Sequence, residues 1–383
     1  MGELSFDVAS LLEEAAADTG LSDFGPEDFR EGLRVLCETY AGNPFNEKGR
    51  RRSHRRLLQL LSTRLRIQQA LKKHPEIAQR EIRAPMVLTG LPRSGTSALF
   101  NLLASDPATR PLRLWETQFP EPLDDLPPGT PDPRRAAMEA HYARGREKNP
   151  GFTKIHFASA DTPEECVLLH AYALGGVQLG IEGMLEPYGS WFRKQDQRPL
   201  YAYYADLLRM LDWQRSGERW LLKAPAHMWS IDVLIETFPD VSIVWTHREP
   251  AHCIASICSM TRTMMEPQLD VDARQLGPLV MDFYATSLER GLRTRERCDP
   301  ARFIDVRYDE LDSDPIAIVE QIYARFGLAF RSEVRASLEA HRAENPKGQH
   351  GDHEYALDEF GLTIDRIEER FARYASRFEV PLT

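Results

Sequence analysis

The chain has 383 residues, with 42% apolar and 28% charged side chains and a formal net charge of −10 at pH 7. That balance excludes a disordered polyelectrolyte, and the length admits one large α/β domain or two smaller ones. The negative total offers no general attraction for a nucleic acid, although a local cationic pocket can hold a small anion at short range. No apolar run approaches the roughly 18 residues a membrane span needs. The start, MGELSFDVASLLEEAAADTG, has neither a basic region nor a long apolar stretch, so no secretory leader is expected. Cys37, Cys166, Cys253, Cys258 and Cys298 are scattered and form no C-x-x-C pair. Neither a disulfide framework nor a zinc site follows, and a cytoplasmic setting is expected.

Residues 1–80 read as a helical N-terminal extension, with helices over 6–17, 26–41 and 48–73. The third opens with Arg50, Arg51, Arg52, His54, Arg55 and Arg56, read as a solvated face or a contact for an acidic partner. From residue 84 short apolar runs alternate with helical segments, the pattern of a parallel sheet with crossover helices. Strands are predicted at 86–89, 111–115, 220–222, 241–246 and 303–306. Helices are predicted at 96–104, 131–148, 163–174, 198–215, 229–238, 250–265, 276–298 and 315–326. Residues 81–383 are thus expected to form an α/β domain, its mostly parallel central sheet flanked by helices, and the glycine-rich stretch 90–97 after the first strand makes the core phosphate-loop nucleotide-binding-like. A long helical insertion at about 123–216 is the expected wall of a ligand pocket. Tyr201, Tyr203 and Tyr204 within it either line an apolar acceptor site or pack in the core. The polar tail over 345–362 carries His350 and His353, whose spacing suits a metal but lacks a third ligand. A last helix is predicted near 364–376.

The first strand runs into Gly90-Leu91-Pro92-Arg93-Ser94-Gly95-Thr96-Ser97. This fits the phosphate-loop pattern G-x-x-x-x-G-K-[ST] except that Thr96 replaces the lysine. A strand, a glycine-rich turn and a helix start present free backbone N–H groups and a positive dipole end to an anion. In phosphoryl transfer the loop lysine and Mg²⁺ together neutralise the phosphates. Here the loop's only cation is Arg93, and no second-motif aspartate is convincing. The strand over 241–246 runs into His247 and Arg248, and Asp305 is a poor substitute. An arginine-rich pocket without a metal suits a group of lower charge than a phosphoryl, such as a sulfuryl. Arg248 offers a forked donor at a strand's carboxyl edge, and Ser256 a hydroxyl from the next helix.

"GLPRSGTSALFNLLASDP" resembles the 5′-phosphosulfate loop of sulfotransferases that use PAPS (3′-phosphoadenosine 5′-phosphosulfate). "SIVWTHREPAHCIASICS" resembles their 3′-phosphate motif, and "FIDVRYDELDSDP" their third nucleotide-side segment. The resemblance runs from about residue 85 to 327 with the motifs in order. It implies that Pro92, Arg93, Ser94, Gly95, Thr96 and Ser97 cradle the 5′ side of PAPS. It further implies that Arg248 and Ser256 hold the 3′-phosphate and that Tyr308 lies near the adenosine. Lys347-Gly348 would add a clamp over the same phosphate.

Transfer to a hydroxyl needs a proton acceptor within hydrogen-bond reach. Glu116, in "RLWETQFP", resembles the "EET" glutamate of tyrosylprotein sulfotransferases and is expected at a strand end; the alternative is a salt bridge to a loop arginine. His227, in "LLKAPAHM", is similar to the histidine of cytosolic sulfotransferases, with a spacing from the lysine of four rather than two. Lys223 would stabilise the bridging oxygen as the product PAP departs, with Arg93 assisting. The expected activity is therefore sulfuryl transfer from PAPS to a hydroxyl of a small-molecule, lipid or carbohydrate acceptor, with no metal. A small-molecule kinase requiring ATP and Mg²⁺, and a nucleotide-binding protein without catalysis, are the alternatives.

Overall fold

The computed structural model describes residues 4–123, 126, 130–148, 159–177, 181–345 and 356–382. Lys347, Gly348, His350 and His353 fall outside the described residues. In chain order the N-terminal region contains α1 (Val8–Thr19), α2 (Phe29–Gly42) and α3 (Glu47–Lys73). Asp7 caps α1 by accepting the Ser10 N–H, and Asn46 caps α3 by accepting that of Gly49.

Among the described residues five strands follow the apolar runs: β1 (Met86–Gly90), β2 (Thr109–Pro111), β3 (Arg219–Lys223), β4 (Ser242–His247) and β5 (Phe303–Arg307). They form a single sheet in the order β2-β3-β1-β4-β5, each pairing parallel. Val87 is level with Leu222 and Ile243, which lines up the carboxyl ends of the three central strands. Side chains alternate between the two faces of a strand. Val87, Leu222, Ile243 and Trp245 accordingly enter one apolar cluster, while Met86, Leu88, Leu221, Val244 and Val306 enter another. Burial on both faces explains why these strands read as unbroken apolar runs rather than alternating ones.

The second face is covered by α4 (Thr96–Leu103) and by helices over Pro315–Arg325 and Ser332–Glu344. The larger cluster on the first face takes in Leu11, Leu33 and Leu61 from α1–α3 together with Leu207 and Phe371. Arg64 of α3, 1% exposed, fastens this layer. It donates to the carbonyls of Phe24, Pro26 and Tyr172 at 2.8–3.0 Å, and its guanidinium lies about 4 Å from the ring centroids of Phe29 and Tyr203. Tyr201, Tyr203 and Tyr204 are all buried in the same interior.

Several bounds shift by a few residues, as where the helix expected at 276–298 runs Ala273–Arg295, and two segments differ in kind from the sequence reading. The stretch expected as strand 111–115 leaves the sheet after Pro111 and turns into a short helix, α5 (Leu114–Gln118). The cause is local: the Glu116 carboxylate accepts the Arg113 N–H at 2.8 Å, satisfying a donor at the helix start. The segment expected as helix 163–174 is a 3-10 helix over Cys166–Ala173. Among the described residues no helix is long and apolar enough to cross a membrane.

Candidate active site

The loop after β1 turns on three backbone positions. Gly90 has φ +142°, and a Cβ there would lie 2.5 Å from the Thr246 carbonyl on β4. Pro92 pre-sets the turn that the Ser94 N–H closes onto the Leu91 carbonyl at 3.2 Å, and Arg93 completes it with φ +71°. Gly95, at φ +93°, is the residue before α4, and a Cβ there would meet the Tyr308 ring at 3.0 Å. The Ser94 hydroxyl, fully buried, bonds Thr246 Oγ1 and the Leu91 carbonyl, both at 2.6 Å. The loop is thereby pinned to the end of β4. Leu99 N–H is the first to bond within α4, so the N–H groups of Thr96, Ser97 and Ala98 have no partner in the helix and stand at its positive dipole end.

Four predicted side chains meet at this loop. Arg93 Nε donates to Ser256 Oγ at 3.1 Å, and Arg248 Nη1 donates to the Arg93 carbonyl at 3.1 Å. The Arg248 guanidinium stacks 3.7 Å from the Tyr308 ring centroid, on the same ring that packs against Gly95. The positive field is felt by His252, whose pKa is pushed down by burial and further by Arg248 and Arg93.

On the other side of the loop Lys223, at the carboxyl end of β3, is buried. Its Nζ lies 3.0 Å from Ser97 Oγ and 3.0 Å from Glu165 Oε1. Ser97 occupies the hydroxyl position that binds Mg²⁺ in phosphoryl-transfer loops. In this chain that hydroxyl carries an ammonium instead. Asp305 is engaged elsewhere: it pairs with His247 and Arg295, which hold its carboxyl well below the usual range although burial works the other way.

The two proposed bases are differently disposed. Glu116 is 2% exposed, and both its oxygens accept from Arg110 at 2.8 and 2.9 Å. Arg215 adds two further contacts, at 3.1 and 3.2 Å, and Arg110 stacks 4.1 Å from the Trp220 ring centroid. Glu116 is the hub of a buried ion pair on a helix rather than a strand-end carboxylate bonded to the loop. His227 is fully buried. Its Nδ1 lies 2.8 Å from Tyr201 Oη and its Nε2 3.2 Å from Cys166 Sγ, whose thiol also donates to the Lys223 carbonyl at 3.3 Å. This chain of contacts ties the residue after Glu165 to the strand end bearing Lys223. The sequence reading missed Glu165; its signal, an acidic pair before an apolar run in "TPEECVLL", says nothing of its approach to β3.

Burial pushes His227 down to about 3 and depresses His170 and His247 as well. The unfolded chain binds protons at these sites near 6.5 while the fold refuses them. The His227 contribution is therefore intact above pH 6.5 and is lost as pH falls below it, by up to about 1.4 kcal/mol per pH unit, and His170 and His247 act in the same direction. The urea midpoint is expected to drop steadily between about pH 6.5 and 5. A flat midpoint over that window would mean that the imidazoles are charged in the fold.

Residues 85–332 match the profile described as the Sulfotransferase family. Among solved structures, sulfotransferase STF1 from Mycobacterium tuberculosis is 33% identical with a TM-score of 0.84, covering 96% of this chain and 98% of that one. Sulfotransferase STF9 from Mycobacterium avium is 28% identical with a TM-score of 0.90, covering 100% and 99%. Omega-hydroxy-beta-dihydromenaquinone-9 sulfotransferase Stf3 of Mycobacterium bovis is 24% identical over 224 residues, 52% of this chain and 55% of Stf3. The chain thus spans about half the length of the curated relatives it matches. With a profile match over most of its length and a full-length structural counterpart at one-third identity, the chain belongs to the Sulfotransferase family.

Proposed function

We propose that this chain moves a sulfuryl group from PAPS to a hydroxyl of a small-molecule, lipid or carbohydrate acceptor and releases PAP. The observation that carries this reading is the gathering of Arg93, Arg248, Ser256 and Tyr308 at one side of the loop, with Lys223 on Ser97 at the other. The N–H groups of Thr96, Ser97 and Ala98 bind the 5′ oxygens, and Pro92, Ser94 and Gly95 shape the turn that aims them. Arg248 and Ser256 bind the 3′-phosphate. Arg93, bonded to Ser256, joins them there and leaves Lys223 as the cation at the bridging oxygen. Tyr308 forms the wall behind Gly95 against which the adenosine side rests.

Stf3 is named for an omega-hydroxy acceptor, which favours an alcohol over an amine here as well. The five cysteines are unpaired, in keeping with a reducing cytoplasm.

PAP without added metal is expected to raise the melting temperature, and ATP with Mg²⁺ is not. Arg248→Ala should weaken PAP binding by about 10- to 100-fold, the loss of a charged hydrogen bond to phosphate. A melting curve reads the first and isothermal titration the second. Stabilisation by ATP with Mg²⁺ but not by PAP would favour the kinase alternative. PAP binding without transfer to any hydroxyl would favour a binder without catalysis.

A further inference from the structure

We infer that Glu165 is the group that takes the acceptor's proton, with Lys223 aligning it and the Cys166–His227 contact positioning it. The inference rests on the PAPS-dependent reading above and adds a residue to it. Glu165 stands 3.0 Å from the ammonium proposed to face the bridging oxygen. Its side chain is 30% exposed, unlike the sequestered Glu116, so an acceptor can reach it. A lysine ammonium has three donors. Ser97 and Glu165 take two of them, and the third remains for the donor's bridging oxygen. One ammonium thus fixes the distance between a carboxylate and a departing oxygen.

Besides Lys223, Glu165 lies near Cys166, the next residue in the chain, near Tyr284, whose phenol is raised by burial and then by the Glu165 charge, and beside Glu164, whose carboxylate accepts the Glu165 backbone N–H at 2.7 Å. Cys166 and Tyr284 are both neutral near pH 7, and the cation paired with the carboxylate is Lys223, on the side where the donor binds. His227 holds Cys166, and Cys166 holds the β3 end at Lys223, so the segment bearing Glu165 and the strand bearing Lys223 move together.

In the step, the acceptor hydroxyl gives its proton to a Glu165 oxygen as its own oxygen bonds to sulfur. The bond from sulfur to the bridging phosphate oxygen breaks, and its electron pair stays on that oxygen beside Lys223. Glu165 then returns the proton to water, and no metal, oxidant or reductant enters the balance.

Glu165→Gln is the test, with Glu165→Asp as a second variant that keeps the carboxylate. Wild-type PAP affinity is measured first; no binding would overturn the donor reading itself. In Glu165→Gln, PAP binding should persist and tighten a few-fold, because a competing anion at Lys223 is gone; the gain should vanish on a Lys223→Met background. Labelled PAPS is then offered to 1-decanol, to 4-nitrophenol and to water alone. Transfer to decanol and to water should fall about 10²–10⁴-fold. With 4-nitrophenol above its own pKa the loss should shrink towards tenfold, since no proton remains to be taken. Glu165→Asp should regain part of the decanol rate. Equal losses for the alcohol and the ionised phenol would make Glu165 merely structural, and unchanged rates or an unchanged PAP affinity cycle would remove it from the site.

Discussion

Glu116→Ala is expected to lower the unfolding free energy by about 3–5 kcal/mol, the cost of stranding a buried charge. Arg110 and Glu116 are 1% and 2% exposed, and the pair is made through two parallel hydrogen bonds. Deleting the carboxylate leaves a guanidinium that water cannot reach, although the Trp220 face and the carbonyls of Pro111, Leu211 and Arg215 still contact it. It also removes the acceptor for the Arg113 N–H, so the start of α5 loses its cap. Urea unfolding of the variant measures the loss directly. A variant as stable as the parent but unable to transfer sulfate would restore Glu116 to the chemistry.

Lys223→Met should reduce kcat about 10²–10³-fold while the KM for PAPS changes little. The reasoning is differential: charge grows on the bridging oxygen only as the sulfuryl group departs, so an ammonium there favours the transition state over the bound donor. Methionine keeps the packing near Phe100, whose ring centroid lies 5.4 Å from Nζ, and limits the structural cost. Steady-state kinetics at saturating acceptor separate kcat from KM, and a melting curve guards against a misfolded variant. A rise in KM at constant kcat would make Lys223 a binding residue instead.

The sequence was most readable where chemistry and backbone geometry coincide. Gly90, Gly95 and the helix after them spell a turn that few other sequences can make, and Arg248 follows an apolar strand whose carboxyl end has to lie beside that turn. Side-chain direction was harder. Nothing in "RLWETQFP" says whether Glu116 points at the loop or back at Arg110, because a partner six residues away becomes a partner only once β2 ends early. His227 sits at a suggestive distance from Lys223 in the chain, but the 3-10 helix over Pro225–Trp229 buries it beneath the strand end. Glu165 lies in the insertion, whose path across the sheet follows from tertiary packing rather than from any periodicity. The basic run in α3 was similarly ambiguous: Arg51 pairs with Glu47 at the surface, while Arg50 lies over the Phe6 ring.

The ammonium resting on Ser97 also bears on which nucleotides this pocket refuses. A triphosphate in the cell arrives with a divalent ion already attached, and in this loop class that ion seeks the same hydroxyl. Here it would meet a like charge held in place by β3, in a buried setting where salt screens poorly. Discrimination against an abundant competitor then requires no recognition of the base or sugar; it is a matter of two cations being unable to share one ligand.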